Sequence, residues 1–166
     1  MATPRERRQK RLAVTEAIGQ EHFQTGLRML YACRYGDALT HLHEAVVLEP
    51  NAPGYLSYLG LATAHAERKY ADAEQLCRRA IEREYHRAEH YHNLGEVMLL
   101  AGRRREAIQA FNQALSWNPN HEPSRDALRQ LGVRRAPVIG ALPRSHPINI
   151  FLGKTFRRGR REPRRA

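Results

Sequence analysis

Histidine is the residue type here that most readily suggests chemistry, because the chain has nine and imidazole is both a metal ligand and a proton carrier near neutral pH. His86, His90 and His92 are close in sequence, and the first two are one helical turn apart. A zinc site needs three or four convergent ligands. Glu82 or Glu89 could serve as a third ligand, but no cysteine is near. The sequence therefore predicts no metal site.

Other sequence patterns associated with catalysis are incomplete. His43-Glu44 and His121-Glu122 lack the second histidine of a zinc-protease helix. The GRRR run at 102–105 falls in a predicted turn and is not a phosphate-binding glycine loop. The few serines have no apparent histidine and aspartate partners. We therefore expect a protein without catalytic residues and without a cofactor.

The positive charge of the chain is concentrated at its two ends. The net charge is +11. Residues 1–12 carry +4 and residues 134–166 carry +9, whereas the body, residues 13–133, carries −2. A near-neutral body with basic arms indicates arms that meet an anionic partner rather than a fold that is basic throughout.

Cysteine usage and hydropathy favour a cytoplasmic protein. Cys33 and Cys77 show no paired spacing, so we expect reduced thiols that contribute to packing. The apolar runs are far shorter than the ~18 residues of a membrane span. The basic N-terminus is not followed by an apolar stretch of the signal-peptide type. A location peripheral to a membrane is the alternative that the basic tail keeps open.

Small residues recur through the body at a nearly constant interval. Gly26, Gly60 and Gly95 are separated by 34 and 35 residues. The same interval separates Ala38, Ala73 and Ala107, then Ala45, Ala80 and Ala114, and then Pro50, Tyr85 and Pro119. Self-similarity at this interval is typical of repeats that each form one supersecondary unit.

Each interval contains two stretches of about a dozen residues with helical apolar periodicity, joined by a short turn. In the last unit, Leu94, Val97 and Met98 share one face of the first stretch. The recurring glycines lie in mid-helix, where glycine costs about 1 kcal/mol relative to alanine. Three such costs at one register indicate that the two helices of each unit approach closely at the glycine. Stacked hairpins of this kind bury a continuous core.

These positions resemble the tetratricopeptide repeat, whose pattern is W-x2-L-G-x2-Y, then A-x3-F, then a small residue and proline over 34 residues. The third unit matches best, with Tyr91, Leu94, Gly95, Met98, Ala107, Phe111, Ala114 and Pro119. The second unit has Leu56, Leu59, Gly60, Ala73, Cys77 and Ala80, with Tyr85 replacing the terminal proline. The first unit has His22, Thr25, Gly26, Met29, Ala38, Leu42, Ala45 and Pro50, with Thr25 in place of leucine.

The resemblance implies an all-α fold, a right-handed α-α superhelix (a tetratricopeptide repeat solenoid) with basic N- and C-terminal tails. Solenoid ends need a helix that covers exposed apolar surface. The predicted divisions are a partly helical basic extension over 1–18, repeats at about 19–52, 53–87 and 88–121, a capping helix over 122–132, and an Arg-rich tail containing Pro and Gly over 133–166.

The resemblance also implies a concave groove lined by the first helices of the repeats. Its predicted lining is Phe23, Leu27, Leu30, Tyr31, Tyr58, Leu61, His65, Glu89, His92, Asn93 and Glu96. One end is apolar and aromatic and the other carries two carboxylates, which suits a peptide with an apolar anchor and a basic flank. In the alternative, Phe23, Leu27 and Leu30 pack against the N-terminal extension. Phe23, Ser57 and His92 stand where some family members carry basic or amide residues that clamp a partner's carboxylates.

The tail has three alternative roles. Its apolar part could dock on the repeats or insert into an anionic membrane, and its arginines could bind nucleic-acid phosphates. The predicted anionic-partner residues are Lys154, Arg157, Arg158, Arg160 and Arg161. We predict a non-catalytic protein–protein interaction adaptor or scaffold that binds a partner peptide. The alternative is a peripheral membrane-surface protein, or a nucleic-acid- or ribosome-associated protein, localised by this tail. The oligomeric state is left open.

Overall fold

The computed structural model describes residues 3–132 and 147–148, and these residues contain helices and no strand. The all-α fold predicted from the sequence is confirmed. The chain divides into two compact units, residues 1–128 and 129–166, and the hairpins described below lie in the first. The helices are α1 (Pro4–Tyr31), α2 (Tyr35–Leu48), α3 (Pro53–Glu67), α4 (Tyr70–Arg83), α5 (Ala88–Leu100), α6 (Arg104–Trp117) and α7 (Glu122–Gln130).

The helices pair in sequence order as hairpins. The closest pairs are α1 with α2, α3 with α4, and α5 with α6. Each second helix also contacts the first helix of the next hairpin, and the first helices α1, α3 and α5 contact one another in sequence. This is the packing of a stacked helical repeat, in which neighbouring hairpins complete each other's core.

A glycine forms the point of closest approach in each hairpin. A Cβ atom added to Gly26 would lie 2.6 Å from Cγ of Leu42, one added to Gly60 would lie 2.9 Å from Sγ of Cys77, and one added to Gly95 would lie 2.5 Å from Cε1 of Phe111. The predicted close approach of the paired helices at these glycines is therefore confirmed. The three partner residues occupy equivalent positions, and each is fully buried.

The second helices present alanine on either side of this contact. The six recurring alanines have no exposed surface: Ala38, Ala45, Ala73, Ala80, Ala107 and Ala114. Their short side chains allow the second helix to lie against its own first helix and against the next hairpin at once. A larger residue at any of these positions would force the close-packed helices apart.

The turn between the helices of each hairpin uses one left-handed residue. Cys33 and Arg68 have φ of 58°, and Gly102 occupies the matching place with φ of 75°. Of these three residues only Gly102 is a glycine, which adopts this conformation without steric cost. The other two turns accept a cost of roughly 1–2 kcal/mol for a side chain in this region.

The first helix extends well beyond its hairpin. It is continuous from Pro4 to Tyr31, so the described part of the predicted N-terminal extension belongs to the same helix as the start of the repeats. Among residues 5–31 of α1, Gly19 is the first that is buried. None of the helices in the described ranges combines the length and apolar character that crossing a bilayer requires.

The glycine contact can be tested by adding one methyl group. In Gly60→Ala, the new Cβ would lie 2.7 Å from the backbone oxygen of Ala73, an atom that cannot move without displacing α4. We expect a loss of about 2 kcal/mol in the free energy of unfolding, measured by chemical denaturation. The matched control is Gly36→Ala in α2, where nothing lies within 4 Å. This variant should gain up to about 1 kcal/mol from helix propensity. Equal effects of the two substitutions would contradict the close-approach argument.

Candidate functional site

The predicted groove residues lie on α1, α3 and α5, and their shared side is called the first-helix face below. Leu30, Leu61 and Asn93 are buried, with 7%, 8% and 2% of their surface exposed. Tyr31 is 75% exposed. The other members of the predicted set are half-buried: Phe23, Leu27, Tyr58, His65, Glu89, His92 and Glu96. The assignment of these residues to partner binding stays a prediction.

An aromatic cluster joins α1 to α3 at one end of the face. The Phe23 ring stacks on Tyr55 at 4.6 Å between centroids, and it meets Tyr58 edge-on at 5.7 Å. The Tyr55 hydroxyl donates to Oε1 of Gln20 at 2.9 Å. Phe23, on α1, therefore packs against two aromatic side chains of α3. The hydrogen bond from Tyr55 to Gln20 joins the same two helices.

Tyr58 connects the aromatic end of the face with its acidic end. Burial raises the pKa of the Tyr58 phenol, and the nearby Tyr31 and Glu89 raise it further, while Arg87 opposes them. Tyr58 is therefore neutral at physiological pH and can donate a hydrogen bond. Its ring offers apolar area to a ligand and its hydroxyl offers one polar contact.

The acidic end of the face contains two carboxylates in different environments. Glu89 Oε2 lies 3.3 Å from Nε of Arg87, which partly neutralises it. Glu96 is half-buried, and burial raises its pKa. Within the part of the chain that the structure describes, the Glu96 carboxylate has no hydrogen bond and no ion pair. Glu96 is thus a partly desolvated acid whose charge is not compensated by the protein itself.

The buried Asn93 links two first helices rather than facing outward. Its Nδ2 donates to Oγ of Ser57 at 3.0 Å, which joins α5 to α3. At the opposite margin, the His65 ring stacks on Tyr35 at 4.2 Å with an interplanar angle of 8°. Burial lowers the pKa of His65, so its imidazole is neutral at physiological pH. Both side chains are engaged within the chain.

A second polar arrangement joins α5 to the start of α7, and it is called the His–Ser–His clasp below. The fully buried Ser124 Oγ lies 3.1 Å from Nδ1 of His92 and 2.9 Å from Nδ1 of His121. The backbone N–H of Ser124 also points to Nδ1 of His121, at 3.4 Å. His121 Nδ1 must therefore be an acceptor. The consistent assignment is that His92 Nδ1–H donates to the hydroxyl, which donates to His121.

The clasp was not anticipated from the sequence. One signal was available, since His121 and Ser124 have the spacing of an N-cap residue and its third helical position. The contact with His92, 32 residues earlier, carries no local signal. The buried hydroxyl of Ser124 is unavailable to a substrate, and its role is to connect the cap to the preceding hairpin.

The three clustered histidines point to different partners. His90 Nε2 lies 3.3 Å from Oε2 of Glu84, whereas the exposed His86 is 3.9 Å from the other oxygen of the same carboxylate. His92 belongs to the clasp. In the described ranges, no group of three or more His, Cys, Asp or Glu side chains could hold a metal ion.

Comparison with known proteins matches part of this arrangement to a family of repeats. The model of the tetratricopeptide repeat matches residues 64–131. Residues 64–131 therefore carry tetratricopeptide repeats. Tetratricopeptide repeats are non-catalytic protein-binding modules. Among curated proteins, none matches this chain.

Solved tetratricopeptide repeat structures share the fold. The first TPR domain of the human RPAP3 protein has a TM-score of 0.61 and 18% identity, over 70% of this chain and 91% of that chain. The Arabidopsis OM64 TPR domain has a TM-score of 0.60 and 19% identity, over 71% and 97%. The Sgt2 TPR domain from Aspergillus fumigatus has a TM-score of 0.59 and 14% identity, over 89% and 87%. Identities at this level show the tetratricopeptide fold alone.

The clasp makes the stability of the tetratricopeptide repeats depend on pH. Burial, and then the neighbouring His121, lower the pKa of His92 to about 4, against an opposing effect of Glu89. Burial also lowers the pKa of His121. A lowered folded-state pKa contributes stability above the unfolded value of about 6.5, and this stability is lost as the pH falls toward the folded value. We expect His92 to account for a loss of about 2–3 kcal/mol between pH 6.5 and 4.

Burial lowers the pKa of His65 and His90 as well, so these residues also make stability depend on pH. The contribution of His92 is therefore measured as the difference between the wild type and a His92 variant. Chemical denaturation at a series of pH values should show a flatter profile for His92→Gln than for the wild type. His43→Gln, on the exposed side of α2, should leave the slope unchanged. If the His92→Gln profile runs parallel to that of the wild type, the clasp is not the source of the effect.

Proposed function

We propose that this chain is a non-catalytic adaptor that binds a peptide segment of a partner protein on its first-helix face. The observation that carries the proposal is the half-buried Glu96 carboxylate, which lacks a hydrogen bond or ion pair within the described residues. It shares this face with the aromatic side chains Phe23 and Tyr58. An apolar anchor and a charge of defined sign are what a short peptide needs for specific recognition.

The charge of the face indicates a basic peptide. Two solved structures of similar fold hold acidic ones: the first TPR of Spaghetti (RPAP3) is bound to the HSP90 peptide SRMEEVD, and the second TPR domain of human RPAP3 is in complex with the HSP70 peptide SGPTIEEVD. Glu89 and Glu96 would repel such a tail. We infer a partner segment with an aliphatic or aromatic anchor against Phe23 and Tyr58, followed by Lys or Arg beside Glu96.

Desolvation explains why Glu96 would be the main determinant of charge specificity. A carboxylate that is already partly removed from water gains more from a cation than an exposed one, because the protein has borne part of the desolvation cost. Glu89 has Arg87 beside it and is a weaker attractant. An acidic ligand residue placed beside Glu96 would bury two negative charges together, so acidic peptides are excluded.

The tail predicted to bind anionic partners lies outside the described residues. An anionic membrane or nucleic-acid partner for Lys154, Arg157, Arg158, Arg160 and Arg161 stays a prediction. That localising role is compatible with the adaptor function, because the two use separate parts of the chain.

The adaptor proposal is tested by selecting ligands from a random peptide library displayed on phage. The wild-type chain should enrich peptides that combine an aliphatic or aromatic residue with Lys or Arg. In Glu96→Lys, the site charge is reversed, so the basic preference should be lost or replaced by an acidic one. The control Glu82→Lys changes the same charge on the exposed side of α4 and should keep the wild-type preference.

The dissociation constants of a selected peptide then show how much each substitution weakens binding. We expect Glu96→Lys to weaken binding at least about tenfold and Tyr58→Ala by a similar factor, with Tyr58→Phe close to wild type. Fluorescence anisotropy with the labelled peptide measures these constants. Enrichment of acidic peptides by the wild-type chain, or identical selections by the two lysine variants, would rule the proposal out.

A further inference from the structure

The N-terminal part of α1 is a helical segment with no evident task in the repeats. Residues 5–18 are exposed except for the half-buried Thr15. The segment is nevertheless built to be helical, because Thr3 and Glu6 form a capping box in which the Glu6 carboxylate accepts from the Thr3 backbone at 2.6 Å. From Pro4 to Gly19 the helix advances by 15 residue steps, or about 22 Å. It is called the α1 extension below.

The α1 extension carries a basic and apolar stripe. Arg7, Arg11, Val14 and Ile18 follow one another at three- and four-residue steps, and Lys10 lies three residues after Arg7 and four before Val14, which places all five on one face of the helix. All of these except Ile18, together with Thr15, line a shallow depression on this surface. Val14 and Ile18 are 51% and 43% exposed. Cations near a helix N-terminus are unfavourable, so an acidic partner would stabilise this end of the helix.

The first-helix face has the complementary chemistry. It offers Glu89 and Glu96 on α5 and the aromatic pair Phe23 and Tyr58 on α1 and α3. The length of the stripe also matches the width of the first-helix face. Arg7 and Ile18 are 11 residues apart, or about 16 Å along a helix. The axes of α1 and α5 are two interhelical spacings apart, or about 16–20 Å.

The stripe cannot reach the face of its own chain. Phe23 lies on the same unbroken helix, five residues after Ile18, and a continuous helix cannot fold back onto itself. Any pairing of these two surfaces must therefore involve two molecules. It would be a head-to-tail contact between different surfaces, which can close into a ring or continue as an open chain.

We propose that the α1 extension of one copy docks on the first-helix face of a second copy, with Arg7, Lys10 and Arg11 toward Glu89 and Glu96, and with Val14 and Ile18 against Phe23 and Tyr58. The inference rests on the proposed function in using the same face, and it names a second copy of the chain as an occupant. External basic peptides then compete with self-association.

Ionic strength separates this contact from non-specific association. Because the chain carries a net charge of +11, non-specific association should strengthen as salt screens the repulsion between copies. Association through the proposed ion pairs should weaken instead. Sedimentation velocity of the full chain across a concentration series, at low and at physiological salt, distinguishes the two.

A charge-swap cycle in the full chain tests the pairing itself. Arg11→Glu and Glu96→Arg should each raise the dissociation constant of self-association at least about tenfold, and the double variant should return to within about threefold of wild type. Arg5→Glu is the matched control, since Arg5 lies on the opposite side of the extension and should have little effect.

Failure of this inference differs from failure of the proposed function. A wild-type chain that stays monomeric throughout, or a double variant as weak as the single ones, overturns docking of a second copy. If phage selection still returns basic peptides that Glu96→Lys rejects, the adaptor proposal stands without it. If the wild-type chain is monomeric and the phage selection returns no basic peptides, both the docking of a second copy and the adaptor proposal are overturned.

Discussion

The contact on which the rest of the structure depends is the approach of each first helix to its second helix at a glycine. Cys77 packs directly on Gly60, and the backbone oxygen of Ala73 leaves no room for a Cβ there. This contact fixes the rotation of the first helix about its axis. The residues three before and one after each glycine then lie together to one side of it: Phe23 and Leu27, Ser57 and Leu61, and His92 and Glu96. The chemistry of the first-helix face is therefore set by the packing of the opposite side.

Successive first helices are joined by one side-chain hydrogen bond each. Tyr55 on α3 donates to Gln20 on α1, Asn93 on α5 donates to Ser57 on α3, and Ser124 on α7 bonds to His92 on α5. Such bonds contribute about 1 kcal/mol each. Their larger effect is on register, because a shifted first helix would leave buried polar groups without partners. Apolar packing alone, mostly alanine and leucine, would tolerate such a shift more easily.

The repeats could be predicted from the sequence, whereas the polar connections could not. Close contact between helix backbones requires small side chains, so glycine and alanine recur at a regular interval. This interval can be recognised in the sequence. The bond between Asn93 and Ser57 spans 36 residues and joins positions that differ from unit to unit. For that reason the sequence pattern predicts Asn93 in the groove, whereas the structure buries it. Leu30 and Leu61 lie on the predicted helices, but the structure buries both side chains.

The distribution of charge explains how a chain with a net charge of +11 can present an attractive site for a basic ligand. The body from 13 to 133 carries −2, and the excess positive charge lies in the two arms. At physiological ionic strength, charges more than about 8 Å apart in solvent are largely screened. The arms then contribute little to the potential at Glu96 unless they touch it. Selectivity on the first-helix face must come from short-range desolvation at that one carboxylate, and long-range attraction adds little.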